Sequence, residues 1–208
     1  MSHDDSLKEV YLSGERIFDG TIIEVEKWRV RLPDGREADR EVVLHKGAAA
    51  VVPVDDQGYV TLVHQHRVVN DQFTWEIPAG KLDYTGEDPL RCAQRELEEE
   101  TGLKALHWQW LTQVITTPGF CTERISLYLA TGLSQHAMHQ DEDEFLRLTR
   151  MPLEEAVGRV MKGEMPDLKT CCGLLMAHKV LLERGQRPPY FDGLPANRRT
   201  ARFPMAEG

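Results

Sequence analysis

Residues 80–103 read GKLDYTGEDPLRCAQRELEEETGL. Pro89 suits the first turn of a helix and Gly102 a left-handed C-cap, so the stretch predicts a helix over about residues 89–101. At about 100° per residue, Leu90, Ala93, Leu97 and Thr101 fall on one side of that helix, and Glu96, Glu99 and Glu100 group on the other. The leucine side belongs against a core. The glutamate side repeats like charges at i,i+3 and i,i+4, each pair costing about 0.2–0.5 kcal/mol, near the negative end of the helix dipole. A solvated acidic face is the ordinary reading of a lone Glu-rich helix. The other readings supply positive charge: Arg95, which can reach Glu99, or divalent cations, since hard ions such as Mg²⁺ are held by a few carboxylates together with water and substrate phosphates.

The flanking residues favour the cations. Glu87, Arg95, Glu96, Leu97, Glu99, Glu100, Gly102 and Leu103 occupy every fixed position, from the first glutamate onward, of the Nudix hydrolase signature, which this chain resembles. In one respect it departs: six residues, Lys81 to Gly86, separate Gly80 from Glu87, where the signature has five. The extra residue lies in Tyr84-Thr85-Gly86, which reads as a turn, so a longer loop before an unmoved helix is expected. Further matches are Trp75-Glu76-Ile77-Pro78-Ala79-Gly80-Lys81-Leu82, His64-Gln65-His66-Arg67, Thr117-Pro118-Gly119-Phe120, Asp141-Glu142-Asp143-Glu144 and Gly163-Glu164-Met165-Pro166-Asp167 with Lys169-Thr170. In that order they resemble the ADP-ribose pyrophosphatase branch, over roughly residues 8 to 184.

The resemblance implies Mg²⁺-dependent (or Mn²⁺-dependent) hydrolysis of the diphosphate of ADP-ribose to AMP and ribose 5-phosphate. A hydrolase of another nucleoside diphosphate sugar, such as GDP-mannose, or a non-catalytic Nudix-fold nucleotide-binding regulator are the alternatives. It implies Glu96, Glu100 and the backbone carbonyl of Ala79 as metal ligands, with Glu99 either a further ligand or an ion-pair partner of Arg95. Gly80, Glu87, Arg95 and Gly102 are then structural. A glutamate on a loop before the last helices is implied as the base that activates water: Glu144 in one register, Glu142 in the other, and a merely solvated acidic loop is the competing reading. Arg67 reads as a phosphate ligand or a surface cation, and Lys81 as a further substrate contact. Trp28 and Arg40 match an aromatic and an arginine that the resembled dimers lend to the partner's site, although Trp28 also reads as simple packing. A homodimer with an exchanged N-terminal subdomain follows from the same resemblance. His64 and His66 share a strand face, and no cysteine or third histidine joins them as a ligand set.

Composition agrees. In 208 residues, 41% hydrophobic, one domain with an appended segment is expected. The first six residues, Met-Ser-His-Asp-Asp-Ser, have neither a basic nor an apolar region, and no apolar run approaches the ~18 residues a membrane span needs. A cytoplasmic setting is therefore expected, with no membrane partner. Cysteines 92, 121, 171 and 172 form no zinc-ligand spacing and read as reduced and mostly structural. A formal net charge of −9 argues against a nucleic-acid surface.

Periodicity sets the organisation. Ile22 to Leu32 alternates up to a Pro33-Asp34-Gly35 turn, and Glu41 to Leu44 is again extended. Residues 1–45 are thus expected to form a small β subdomain for dimerisation. Ala48 to Val54, Tyr59 to His64, Gln109 to Ile115 and Ile125 to Ala130 are strand candidates, with Asp55-Asp56-Gln57-Gly58 as a hairpin turn, and Leu153 to Met161 and Thr170 to Arg184 are helical. The expected fold is α+β: a Nudix α/β/α sandwich over residues 46–184 with a small N-terminal antiparallel β subdomain, then an irregular tail at 185–208.

Overall fold

The computed structural model describes residues 6–84, 86–136 and 145–184. Strands β1 (Val10–Asp19), β2 (Glu24–Arg31) and β3 (Glu37–Leu44) form an antiparallel sheet in that order. The turn between β2 and β3 closes through the Gly35 N–H on the Leu32 carbonyl, with Gly35 at φ 86°. Tyr11, Ile17, Phe18 and Ile22 are exposed there. At the end of β3, Val43 donates to the Phe120 carbonyl and accepts from the Thr122 N–H, which ties this sheet to the 117–122 loop.

The rest builds around β4 (Ala48–Pro53), whose six residues are all buried. It pairs in parallel with β9 (Arg124–Gln135) and antiparallel with β7 (Ala79–Lys81), and β8 (Leu103–Ile115) completes a sheet of order β7-β4-β9-β8. A second antiparallel sheet has the order β10-β5-β6, with β5 Tyr59–Arg67, β6 Gln72–Glu76 and β10 Leu146–Pro152. A continuous Ala/Val run is what a strand covered on both faces requires. Ala49 and Val51 pack under helix α1 (Pro89–Thr101) with Ala93, Leu97 and Tyr128. Ala48, Ala50 and Val52 face the opposite layer with Leu62, Leu127, Leu174 and Ala177, beneath helices α2 (Leu153–Met161) and α3 (Leu168–Arg184). Gly173 lets α3 approach: a Cβ there would meet Ile77 Cδ1 at 2.8 Å and Val52 Cγ2 at 3.0 Å. The result is the expected α/β/α sandwich.

At three points the structure goes beyond the sequence reading. Strand β8 starts at Leu103, directly after the cap of α1, not at Gln109; it is an edge strand, largely exposed at its start, so no clean alternation announces it. The short strands β6 and β7 have no periodic signal, because their partners and not their own pattern hold them. The glutamate side of α1 is not solvated: Glu96 is 8% and Glu100 4% exposed. The tail at 185–208 lies outside the described residues.

Candidate active site

Helix α1 begins and ends as its sequence requires. Asp88 accepts the Leu90 N–H at 3.1 Å, Pro89 follows it, and Gly102, at φ 66°, donates to the Glu98 carbonyl at 2.8 Å. Between these caps, one flank of the helix packs on β4 and the next lies against β7, which buries glutamates that a two-sided projection leaves in water.

The contact with β7 depends on Gly80. The Glu96 carboxylate lies so close that a Cβ on residue 80 would stand 1.8 Å from Oε1 and 2.0 Å from Cδ. One turn later, Glu100 Oε2 accepts the Ala79 N–H at 3.1 Å. Nη1 of Arg95 donates to Glu96 Oε1 at 2.7 Å and to Glu99 Oε2 at 3.0 Å, while Nη2 reaches the Lys81 carbonyl at 3.3 Å. Burial lowers the Arg95 pKa and the charges of Glu96 and Glu99 raise it; the carboxylates win, and the guanidinium stays charged. Glu99 therefore forms the ion pair anticipated from its spacing. Glu98, the remaining glutamate, pairs outward with Lys104 at 2.9 Å.

The loop before the helix is closed by its own residues. Glu87 Oε2 accepts the Asp83 N–H at 2.7 Å, and Gly86 takes φ 93°. Beneath it, the Cys92 thiol donates to the Lys81 and Gly80 carbonyls at 3.4 and 3.6 Å. Burial pushes that thiol up to about 12, so it is a packing group and not a nucleophile. All four cysteines are free of disulfides.

A second charged cluster stands at the end of β6, across β7 from that loop. Glu76, 2% exposed, takes Nε and Nη2 of Arg67 at 2.8 and 2.7 Å, the Thr74 hydroxyl at 2.6 Å and Nζ of Lys169. Burial raises the Glu76 pKa, but Arg67, Lys169 and Thr74 outweigh it and bring it down to about 2. Asp167 accepts from Lys169 at 3.1 Å and caps α3 through the Thr170 N–H at 3.0 Å. The Thr170 hydroxyl accepts the Ile77 N–H at 3.0 Å. Sequence reasoning gave Glu76, Thr74 and Lys169 no role. The available signal was an Asp-x-x-Thr capping pattern at 167–170 and a glutamate flanked by the apolar Trp75 and Ile77.

The other expected site residues are dispersed. Trp28 and Arg40 are direct cross-strand partners on β2 and β3, on the sheet separate from that under α1. Trp28 stacks edge-on to Tyr11 at 5.2 Å and donates to Glu26, and Arg40 is paired with Glu9. Lys81 is exposed at the end of β7. His64 stacks on Trp75 and Phe73, at 5.0 and 5.5 Å, and His66 lies 5.0 Å from Phe73, so these rings serve aromatic packing. Glu142 and Glu144 lie outside the described residues.

A divalent ion fits the donor set. Two buried carboxylates one helical turn apart, Glu96 and Glu100, meet the backbone of β7 with Arg95 as the cation between Glu96 and Glu99. Two carboxylates and a backbone are a donor set of the kind Mg²⁺ takes, since it completes its shell with water and phosphate oxygens.

The NUDIX domain model matches residues 44–170. The ADP-ribose pyrophosphatase of Mycobacterium tuberculosis is 40% identical over 182 residues, which span 86% of this chain and 87% of that protein. The methanol dehydrogenase activator of Bacillus methanolicus is 41% identical over 165 residues, 78% of this chain and 89% of that one. A solved structure described as an ADP compounds hydrolase superposes with a TM-score of 0.75, covering 86% of this chain and 97% of its own; at 21% identity that is a likeness of fold.

Proposed function

This chain belongs to the Nudix family and is a Nudix pyrophosphohydrolase, and from that premise we propose that it hydrolyses the diphosphate of ADP-ribose to AMP and ribose 5-phosphate with Mg²⁺ or Mn²⁺. The observation that carries the reading is the buried pair Glu96 and Glu100 against β7. Two carboxylates withdrawn from water near a helix C-terminus are costly unless cations meet them, and Arg95 divides one guanidinium group between Glu96 and Glu99. A binding module has no use for that cost.

In this reading Glu96, Glu100 and the Ala79 carbonyl hold the ions, and Glu99 exchanges its Arg95 partner for one. Bound Mg²⁺ supplies charge neutralisation on the phosphate oxygens and a water of lowered pKa. Arg67 contacts a phosphate, Lys81 lines the entrance, and Glu144, with Glu142 as the competing register, takes the proton of the attacking water. Water adds to one phosphorus, and the bridging oxygen leaves with the other phosphate.

The assembly proposed is a homodimer exchanging its N-terminal sheet, in a cytoplasmic setting. A three-stranded sheet with Tyr11, Ile17, Phe18 and Ile22 exposed supports it, since so small a unit buries little by itself. Among the described residues no helix is long and apolar enough to cross a membrane. The test is a panel of nucleoside diphosphate sugars incubated with Mg²⁺ and resolved by chromatography. AMP and ribose 5-phosphate formed fastest from ADP-ribose is the expected result. Preference for GDP-mannose would move the substrate within the class, and binding without turnover would overturn the catalytic reading.

A further inference from the structure

Arg67 is a half-exposed guanidinium with one edge already committed: Nε and Nη2 form a fork on the two oxygens of Glu76. Among the described residues Nη1 has no hydrogen-bond acceptor, and the electrostatic surroundings of Arg67 include both Asp167 and Glu100. Arg67 grips Glu76, and three residues further along the chain the Ala79 N–H donates to Glu100, so the guanidinium lies beside the strap that reaches the α1 glutamates. Glu76 itself is fixed from three directions, by Arg67, Lys169 and the Thr74 hydroxyl, and is almost wholly buried. A carboxylate so held cannot follow a mobile arginine, so the arginine is held by it. A planar guanidinium gripped along one edge has the orientation of its remaining N–H groups set.

We propose that Glu76 is a positioning residue, which fixes Arg67 through Nε and Nη2 so that its Nη1 end meets a phosphate of the diphosphate substrate. The assignment rests on the proposed reading of the site as a diphosphate hydrolase. Lys169 has a matching part: it bridges Glu76 and Asp167 and so fixes the carboxylate that Arg67 grips. Two cations and two anions close the cluster, and the half-exposed cation is the one left for a ligand.

The test is a double-mutant cycle of Glu76→Gln and Arg67→Ala, with KM and kcat for ADP-ribose in Mg²⁺ and, in parallel, the Kd for ADP-ribose by calorimetry. Arg67→Ala is expected to raise KM by about 10–100-fold, as loss of a hydrogen bond to a charged group predicts. Glu76→Gln is expected to raise it roughly tenfold with a smaller change in kcat, and to add nothing in the Arg67→Ala background. Thr74→Val keeps every charge and covers the case in which Glu76→Gln fails to fold; it should shift KM in the same direction by less. A merely structural Glu76 would lower the melting temperature and the active fraction at unchanged KM, or give additive effects in the cycle, and either result overturns the assignment. If the wild-type protein binds ADP-ribose without cleaving it, the proposed function fails while the cycle on Kd still decides the positioning; if it does not bind at all, both fail.

Discussion

Replacing Gly80 by alanine tests the geometry of the site at its tightest point. The new Cβ would lie 1.8, 2.0 and 2.5 Å from Oε1, Cδ and Oε2 of Glu96, so the whole carboxylate must move. It has little freedom to do so. Oε1 is held by Arg95 at 2.7 Å and the side chain is 10% exposed, so withdrawal breaks a charge-assisted hydrogen bond and displaces the guanidinium shared with Glu99. Overpacking of this kind costs about 1–3 kcal/mol. At roughly 2–4 °C per kcal/mol for a chain of this size, the melting temperature should fall by about 2–12 °C. In the proposed reading the functional effect should be larger than the loss of stability, because a displaced Glu96 would no longer share an ion with Glu100. Thermal unfolding read beside a Mg²⁺ titration of ADP-ribose cleavage measures both. Shortening the obstructing side chain, as Gly80→Ala with Glu96→Asp, should recover most of the stability and little of the activity. A Gly80→Ala protein with wild-type melting temperature and wild-type Mg²⁺ dependence would refute the placement of Glu96 and the role built on it.

Glu96→Gln and Glu100→Gln should each cut kcat by about 10²–10³-fold, the range for losing one electrostatic stabiliser of a transition state, with a weakened Mg²⁺ response; because both residues are buried, a change in melting temperature accompanies the loss. Glu76, held near 2 against an ordinary 4.5, contributes stability that is complete above pH ~4.5 and is lost as pH falls toward 2, on the order of 3 kcal/mol in total; chemical denaturation at pH 6 and pH 3 should show this slope in the wild type and a flatter one in Glu76→Gln. Glu144→Gln should lower kcat by roughly 10²–10⁴-fold with KM little changed, and the opposite ranking of Glu144→Gln and Glu142→Gln would shift the base by two residues. Trp28→Ala should raise KM for ADP-ribose, and mixing it with a Glu100→Gln chain should restore one active site per mixed dimer, whereas a monomer by light scattering, or no activity after verified mixing, would leave Trp28 as packing against Tyr11.

Much of the fold is legible because its signals are local. Asp88, Pro89 and Gly102 delimit α1, and the observed helix runs over the expected residues. The Ala/Val run of β4 and the Asp55–Gly58 turn are also where the sequence puts them, the turn held by Asp55 accepting from the Gln57 and Tyr59 N–H groups. What stays hidden is set by partners distant in sequence. A helical projection sorts residues by angle and assumes one buried side. It cannot reveal that β7 closes over the glutamate flank, so Glu96 and Glu100 read as exposed. Arg67 and Glu76 look unrelated in the sequence and become a bidentate pair only when β5 and β6 form their hairpin. Lys169 reaches Glu76 across 93 positions once α3 docks on Ile77.

The segment from Glu76 to Lys81 joins the two charged clusters; its backbone pairs with β5 at Glu76 and with β4 along β7, and side chains from both layers add to that hold. Thr170 takes the Ile77 N–H from one layer, Glu100 takes the Ala79 N–H from the other, and Arg95 donates to the Lys81 carbonyl. Each anchor is a group whose own charge or hydrogen bond belongs to a cluster at one end. The backbone between them is therefore fixed by the same residues that set the site's electrostatics. The distance from the Arg67 fork to the Glu96 and Glu100 carboxylates is spanned by a short covalent strap with partners on both sides, where a free loop would be soft. A diphosphate is short, with two phosphorus atoms sharing one oxygen, and under the proposed function a site that grips it at both ends needs that spacing held tightly. On that proposal, burying charge on α1 and at Glu76 at once has a use: the carboxylates that carry the local charge also help hold the strap that sets their separation.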